Sequence, residues 1–211
     1  MWQSISYYAA LAVESLIGVF GIRLYEEPHY DVIDRIVDRV EIRRYAPRLA
    51  AEVESTVTGE VGRSEAFRLL FAYIARANRT SASTNDRIAM TVPVEVHDKE
   101  RMGMTVPVQT TETSGTVRMR FFLPAKYSHD NAPKPTDARV RLVTTPDETV
   151  AILRFSGSGG DFVERQTELI AKLVGSRWRP KGEPYTLYYD APFTLTFLRR
   201  NEAAIAVAEI A

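Results

Sequence analysis

The sequence has no cysteine among its 211 residues. Disulfides, thiolate zinc sites, iron–sulfur clusters and cysteine nucleophiles are excluded together. The cytoplasm is the expected compartment, with membrane association through residues 1–24 as the alternative. Net charge is missing too, because 27 basic residues balance 27 acidic ones. A neutral chain has no general pull toward the phosphates of nucleic acid or toward anionic lipid, so no nucleic-acid partner is expected. Histidine is scarce: His29, His97 and His129 are the full set. A long apolar run is also lacking. The stretch YYAALAVESLIGVFGI (Tyr7–Ile22) carries Glu14 in its middle and falls short of the ~20 residues of a spanning helix. A signal peptide wants an early Lys or Arg, and the first basic residue is Arg23, after the run. An apolar or amphipathic helix over residues 1–24 is expected, packed on the domain or against a partner or membrane surface.

What is present suits one packed domain over residues 25–211. Hydrophobic residues are 45% and charged residues 26%, enough to bury a core. Val32, Ile36, Val40 and Ile42 alternate with charged residues and predict strands interrupted by Pro47, with LAAEVEST as a further strand. In SEAFRLLFAYIARANR, Phe67, Leu70, Phe71 and Ile74 recur at helical spacing, with Ser64 as N-cap and Asn78 as the end. The pentapeptide MTVPV occurs twice, at Met90–Val94 and Met104–Val108. Matching parity around the polar Asp98–Gly103 predicts a hairpin, with Pro93 and Pro107 at edges or bulges. TVRMRFFLPAKY is a strand, and SHDNAPKPTDAR a surface connection. RVRLVTTPDETVAILRFSGSGG gives two strands. The helix after them has a stripe of Phe162, Leu169, Ile170 and Leu173, with Asp161 and Glu164 placed for capping. Strands return in PYTLYYDAPFTLTFLRRNEAAIAVAEI. The order strands, helix, strands thus occurs over residues 30–127 and again over 138–210, which predicts an internal duplication in an α+β fold.

Several segments resemble the SOUL or heme-binding-protein family, in that family's order. They are EEPHYDVI, VEIRRYAPRLAAEV, AFRLLFAYIARAN, RIAMTVPV, MRFFLPAKY, APKPTDARV, VAILRFSGSGG and YYDAPFTLTFLRRNEAAIAV. The resemblance spans about Tyr25 to Val207 and is strongest to bacterial-type members. Val92 and Val106 stand where the family more usually has alanine. The resemblance implies a distorted antiparallel β-barrel from two pseudo-symmetric halves, flanked by two helices, here with an extra N-terminal helix. It also implies non-enzymatic binding of heme or a related tetrapyrrole, often without a dedicated iron ligand, for buffering, transport or delivery. A general effector-binding or interaction module for other amphipathic small molecules is the alternative.

A heme site needs an apolar slot, cations for two propionates and, optionally, an axial nitrogen or sulfur. Phe67, Phe71 and Ile74 on the first helix offer the slot, and Arg63 and Arg68 the cations. Phe193 and Arg199 near the end are further candidates. Met90 and Met104 are thioethers, though methionine is also an adaptable core filler. The hairpin explains their repetition. Glu95 and His97 beside the expected turn make two ligands, which is not a metal site. The histidines read as solvated loop residues. SGSGGD before the second helix is neither a phosphate loop nor a nucleophile elbow. The doublets EIRRY and LRRNE read as solvated faces or internal ion pairs.

Overall fold

In a computed structural model, the described residues are 26–36, 39–75, 77–80, 88, 93–98, 115–157, 162–190 and 194–210. The expected N-terminal helix, Met90, the second MTVPV copy, Asp161 and Phe193 all lie outside them. The chain is α+β, with antiparallel strands and two described α-helices. It forms two compact units. The first draws on Met1–Ala46, Thr91–Pro93 and Asp147–Ala211, the second on Pro47–Met90 and Val94–Pro146.

The first unit contains β1 (Asp31–Ile36), β2 (Val40–Tyr45), β9 (Glu148–Phe155), β10 (Trp178–Pro180), β11 (Tyr185–Tyr188) and β12 (Asn201–Glu209). Its sheet runs β1-β2-β9-β12-β11, with β10 also on β12. Alternation gives each strand two faces. Val40, Ile42, Ala151, Leu153, Ala203 and Ile205 point one way, into a core with Leu169 and Leu173 of α2 (Phe162–Leu173) and Trp178. Ile170, expected in that stripe, is 37% exposed instead. Tyr45, Val150, Ile152, Tyr185, Leu187 and Ala204 point the other way into a second cluster. Asp34 ties β1 down: Trp178 Nε1 donates to its Oδ2 at 2.7 Å and Arg177 Nε at 3.0 Å.

The second unit contains β3 (Arg48–Ser55), α1 (Gly59–Ala75), β4 (Asn78–Arg79), β5 (Val94–Asp98), β6 (Val117–Phe122), β7 (Lys134–Pro135) and β8 (Val140–Thr145). Its sheet runs β5-β6-β3-β8, and β4 pairs with β7. The helix begins at Gly59, so Ser64 lies inside it and is not its N-cap. Gly62 is obligatory: a Cβ there would sit 1.8 Å from the Val57 carbonyl oxygen. Asn78 lies beyond the helix, but its Nδ2 donates to the Tyr73 carbonyl at 2.7 Å and satisfies one of the terminal acceptors. Tyr73 itself donates to the Pro133 carbonyl at 2.7 Å. The proline-rich connection is therefore anchored, with Ala132 7% exposed, rather than lying wholly on the surface.

One further expectation needs correction. His97 is in β5, not in a turn, and β5 pairs with β6. The compact units are not the sequence stretches 30–127 and 138–210. The chain leaves the first unit between Ala46 and Pro47 and re-enters it between Pro146 and Asp147, with Thr91–Pro93 also assigned to the first unit. Proline has no N–H for a ladder, so each strand pair breaks where the chain changes unit. Consequently β2 pairs with β9, and β3 with β8.

Candidate functional site

The residues singled out on α1 divide into core and surface. Leu70 and Ile74 are buried with Ala66 and Tyr73, so Ile74 packs inward. Phe67 is 37% and Phe71 50% exposed, outside the stripe predicted for both. The two rings stack, with centroids 6.0 Å apart and planes at 14°, and Phe67 meets the buried Phe121 edge-on at 5.4 Å. Val61 on the same helix is also exposed. Arg63 precedes Phe67 by one turn and Arg68 precedes Phe71 by one turn, at the i,i+4 and i,i+3 spacings that make helix neighbours. The result is an open aromatic ledge with two cations alongside it.

The first unit holds a cleft of about 920 Å³, beside the β1–β2 hairpin and the end of β9. Tyr30 and Phe155 supply aromatic surface, and Arg35, Arg39, Arg43, Arg154 and Arg200 line it against a single carboxylate, Glu41. Behind it lies a buried ion network. Glu202 is fully buried. Arg43 donates to both its oxygens, at 2.9 and 3.2 Å, and Arg200 to Oε1 at 3.0 and 2.8 Å. Tyr189 Oη donates to Oε2 at 2.7 Å. Arg43 also bonds Glu41 at 2.7 Å, and Arg200 bonds Glu27 at 3.2 Å. The guanidiniums lie over tyrosine rings, Arg43 above Tyr30 at 4.3 Å and Arg200 above Tyr189 at 3.7 Å. Burial is the largest single influence on Arg43 and disfavours its charged form, yet Glu202 and Tyr45 together outweigh it and hold the guanidinium above its usual pKa. Burial, then the neighbouring Glu202, pushes the Tyr189 phenol well up.

A family profile described as SOUL heme-binding protein matches residues 25–206. The chain belongs to the SOUL heme-binding protein family. No curated protein matches it in sequence. Among solved structures, the C-terminal domain of EcmrR is similar with a TM-score of 0.59 at 10% identity, covering 82% of this chain and 99% of that one. An uncharacterized conserved protein from Listeria innocua gives 0.57 at 12%, covering 81% and 92%. A hydrolase from the same organism gives 0.54 at 12%, also covering 81% and 92%. At these identities the likeness is one of fold.

For this SOUL-family chain the structure gathers Arg63, Phe67, Arg68 and Phe71 on one helix. Arg199 belongs to the other unit, where its Nε donates to the Thr194 carbonyl at 2.8 Å. Met90 and Phe193 lie outside the described residues. None of the described candidates lines the arginine cleft. The doublets EIRRY and LRRNE, read as solvated faces or internal ion pairs, meet through Arg43, Arg200 and Glu202. Their signal was a pair of adjacent arginines beside an acidic residue. Among the described residues no cluster of His, Asp or Glu suits a metal, and no helix is long and apolar enough to cross a membrane.

Proposed function

We propose that this protein binds heme or a related tetrapyrrole on the outer face of α1, without catalysing a reaction on it. The observation that carries the reading is the exposure of two stacked phenylalanines, 37% and 50% open to solvent, on a helix of a heme-binding family. A macrocycle would lie on Phe67 and Phe71, and its propionates would meet Arg63 and Arg68. Phe193, Arg199 and Met90 are retained as proposed ligand contacts on the strength of the sequence alone. When bound, heme supplies an iron centre; the ledge residues contribute apolar surface and charge, none of them an iron ligand. His29 is exposed beside Asp31 at 3.8 Å, on the other unit. Both oxygens of Glu202 are committed to Arg43, Arg200 and Tyr189, which favours a structural carboxylate over a general base.

Hemin titration followed in the Soret band tests the proposal. Saturation at low micromolar ligand is expected, and Phe67→Ala with Phe71→Ala together should weaken binding roughly 10- to 100-fold. Metal-free protoporphyrin should bind within a few-fold of hemin, because ring stacking and propionates carry the contact. Unaltered hemin affinity in the double variant would refute the ledge. If amphipathic ligands that are not tetrapyrroles raise the melting temperature and hemin does not, the effector-module reading replaces this one.

A further inference from the structure

We infer that the arginine cleft of the first unit is a second binding site, for a small polyanion bearing phosphate or several carboxylates. The inference rests on charge that the protein leaves unmatched. Arg35 pairs with Glu41 at 3.3 Å, Arg43 with Glu41 and Glu202, and Arg200 with Glu202 and Glu27. Three arginines thus meet three carboxylates. Arg39 and Arg154 also line the cleft and are exposed. Neither makes a hydrogen bond or ion pair among the described residues. The whole chain is neutral, so this surplus of cations is local.

Geometry supports the same assignment. Arg43 and Arg200 are each fixed by two hydrogen bonds to Glu202 and form a rigid back wall. Arg39 sits at the β1–β2 turn with φ 87°, in the left-handed region that a side chain adopts at a cost and glycine adopts freely. It is the only non-glycine with positive φ among the described residues. From that turn Arg39 lines the cleft. Planar guanidiniums match phosphate and carboxylate oxygens two at a time. A volume of about 920 Å³ suits a small molecule rather than a polymer. The site is separate from the α1 ledge and does not depend on it.

Calorimetric titration of the full chain with inorganic pyrophosphate, and separately with citrate, tests the inference at low and at physiological salt. One saturable site is expected, weaker at higher salt. Tighter pyrophosphate binding identifies a phosphate-bearing ligand, and tighter citrate binding a polycarboxylate. Arg154→Ala and Arg39→Gly should each weaken it about tenfold, the scale of one charge-assisted contact. Arg39→Gly also relieves the backbone, so its melting temperature should hold or rise and a lost site cannot be blamed on unfolding. Arg44→Ala, an exposed arginine of β2 outside the cleft, should change nothing, and hemin binding should be untouched in all three. The inference fails if neither anion saturates, if Arg44→Ala weakens binding as much as Arg154→Ala, or if binding survives in the Arg39→Gly, Arg154→Ala double variant.

Discussion

Glu202 of the first unit and Glu52 of the second both lie buried on the sheet face turned away from their unit's helix, and each is neutralised by arginines in a different way. Glu52 uses its ladder neighbours. It stands opposite Arg120 on β6 and Arg141 on β8, which bond it at 2.8 and 3.1 Å. Arg120 also stands opposite Glu95 and bonds it at 2.7 Å. These arginines keep contact with water: the side chains of Arg120 and Arg141 are 20% and 55% exposed. Glu202 instead takes Arg43, which lies beyond β9, and Arg200 two residues along its own chain. Arg43 is 3% exposed. Cross-strand pairing thus gives a wet network whose members can be rehydrated. The reach across an intervening strand gives a dry one, in which each charge depends on the others.

Removing the central charges should expose that contrast most strongly. Glu202→Gln leaves two guanidiniums buried with too little countercharge and should cost about 3–5 kcal/mol in urea unfolding. Glu52→Gln should cost about 1–2 kcal/mol, because water can solvate its arginines. Equal losses would erase the distinction between dry and wet networks.

Buried tyrosines sharpen the comparison at smaller scale. Tyr189→Phe takes a donor from a carboxylate and should cost about 1.5–3 kcal/mol, against roughly 1 kcal/mol for Tyr73→Phe, whose acceptor is the neutral Pro133 carbonyl. Burial raises both phenol pKa values. A raised folded-state pKa means this stability is complete below the unfolded value of ~10 and declines as pH climbs through the folded one. Alkaline unfolding curves should therefore steepen above about pH 10, and less so in Tyr189→Phe.

The smallest effect belongs to the surface. Hydrogen bonds from the Arg139 side chain and backbone hold Asp137 down at about 2. A depressed folded pKa gives stability that is present above the unfolded ~3.9 and lost as pH falls toward 2. Arg139 is 58% exposed, so solvent screens the pair. Asp137→Asn should shift the midpoint barely beyond error at pH 7, and half-molar salt should remove the difference. Asp34, held down chiefly by its Trp178 hydrogen bond, should lose less of its contribution in the same salt.

Much of the fold was legible. Alternation in VEIRRY, RLAAEVES and VRMRFF located β2, β3 and β6, and helical spacing located both α-helices. The same spacing misplaced Phe67 and Phe71, because apolar character marks a side chain's preference for burial and not whether neighbours reach it. The aromatic ledge is therefore a property of the folded chain. The arginine cleft was legible in part: RR doublets beside acidic residues read as solvated faces or internal ion pairs, but did not reveal that Arg39 and Arg154 would be left over. The repeated order of strands and helix carried no sign that the chain changes unit at Pro47 and Pro146.

By itself the sequence determined the local elements, the neutral charge, the absence of thiol chemistry and membership of the SOUL family. Each of these depends on residue type or on spacing within one segment. Only the tertiary structure decided that β2 joins β9 while β3 joins β8, that Arg43 meets a carboxylate 159 residues away, and which phenylalanines stay in solvent. A strand's alternation fixes which side chains share a face but says nothing of which strand lies alongside. Burial and ion pairing between distant residues follow from that choice of neighbour.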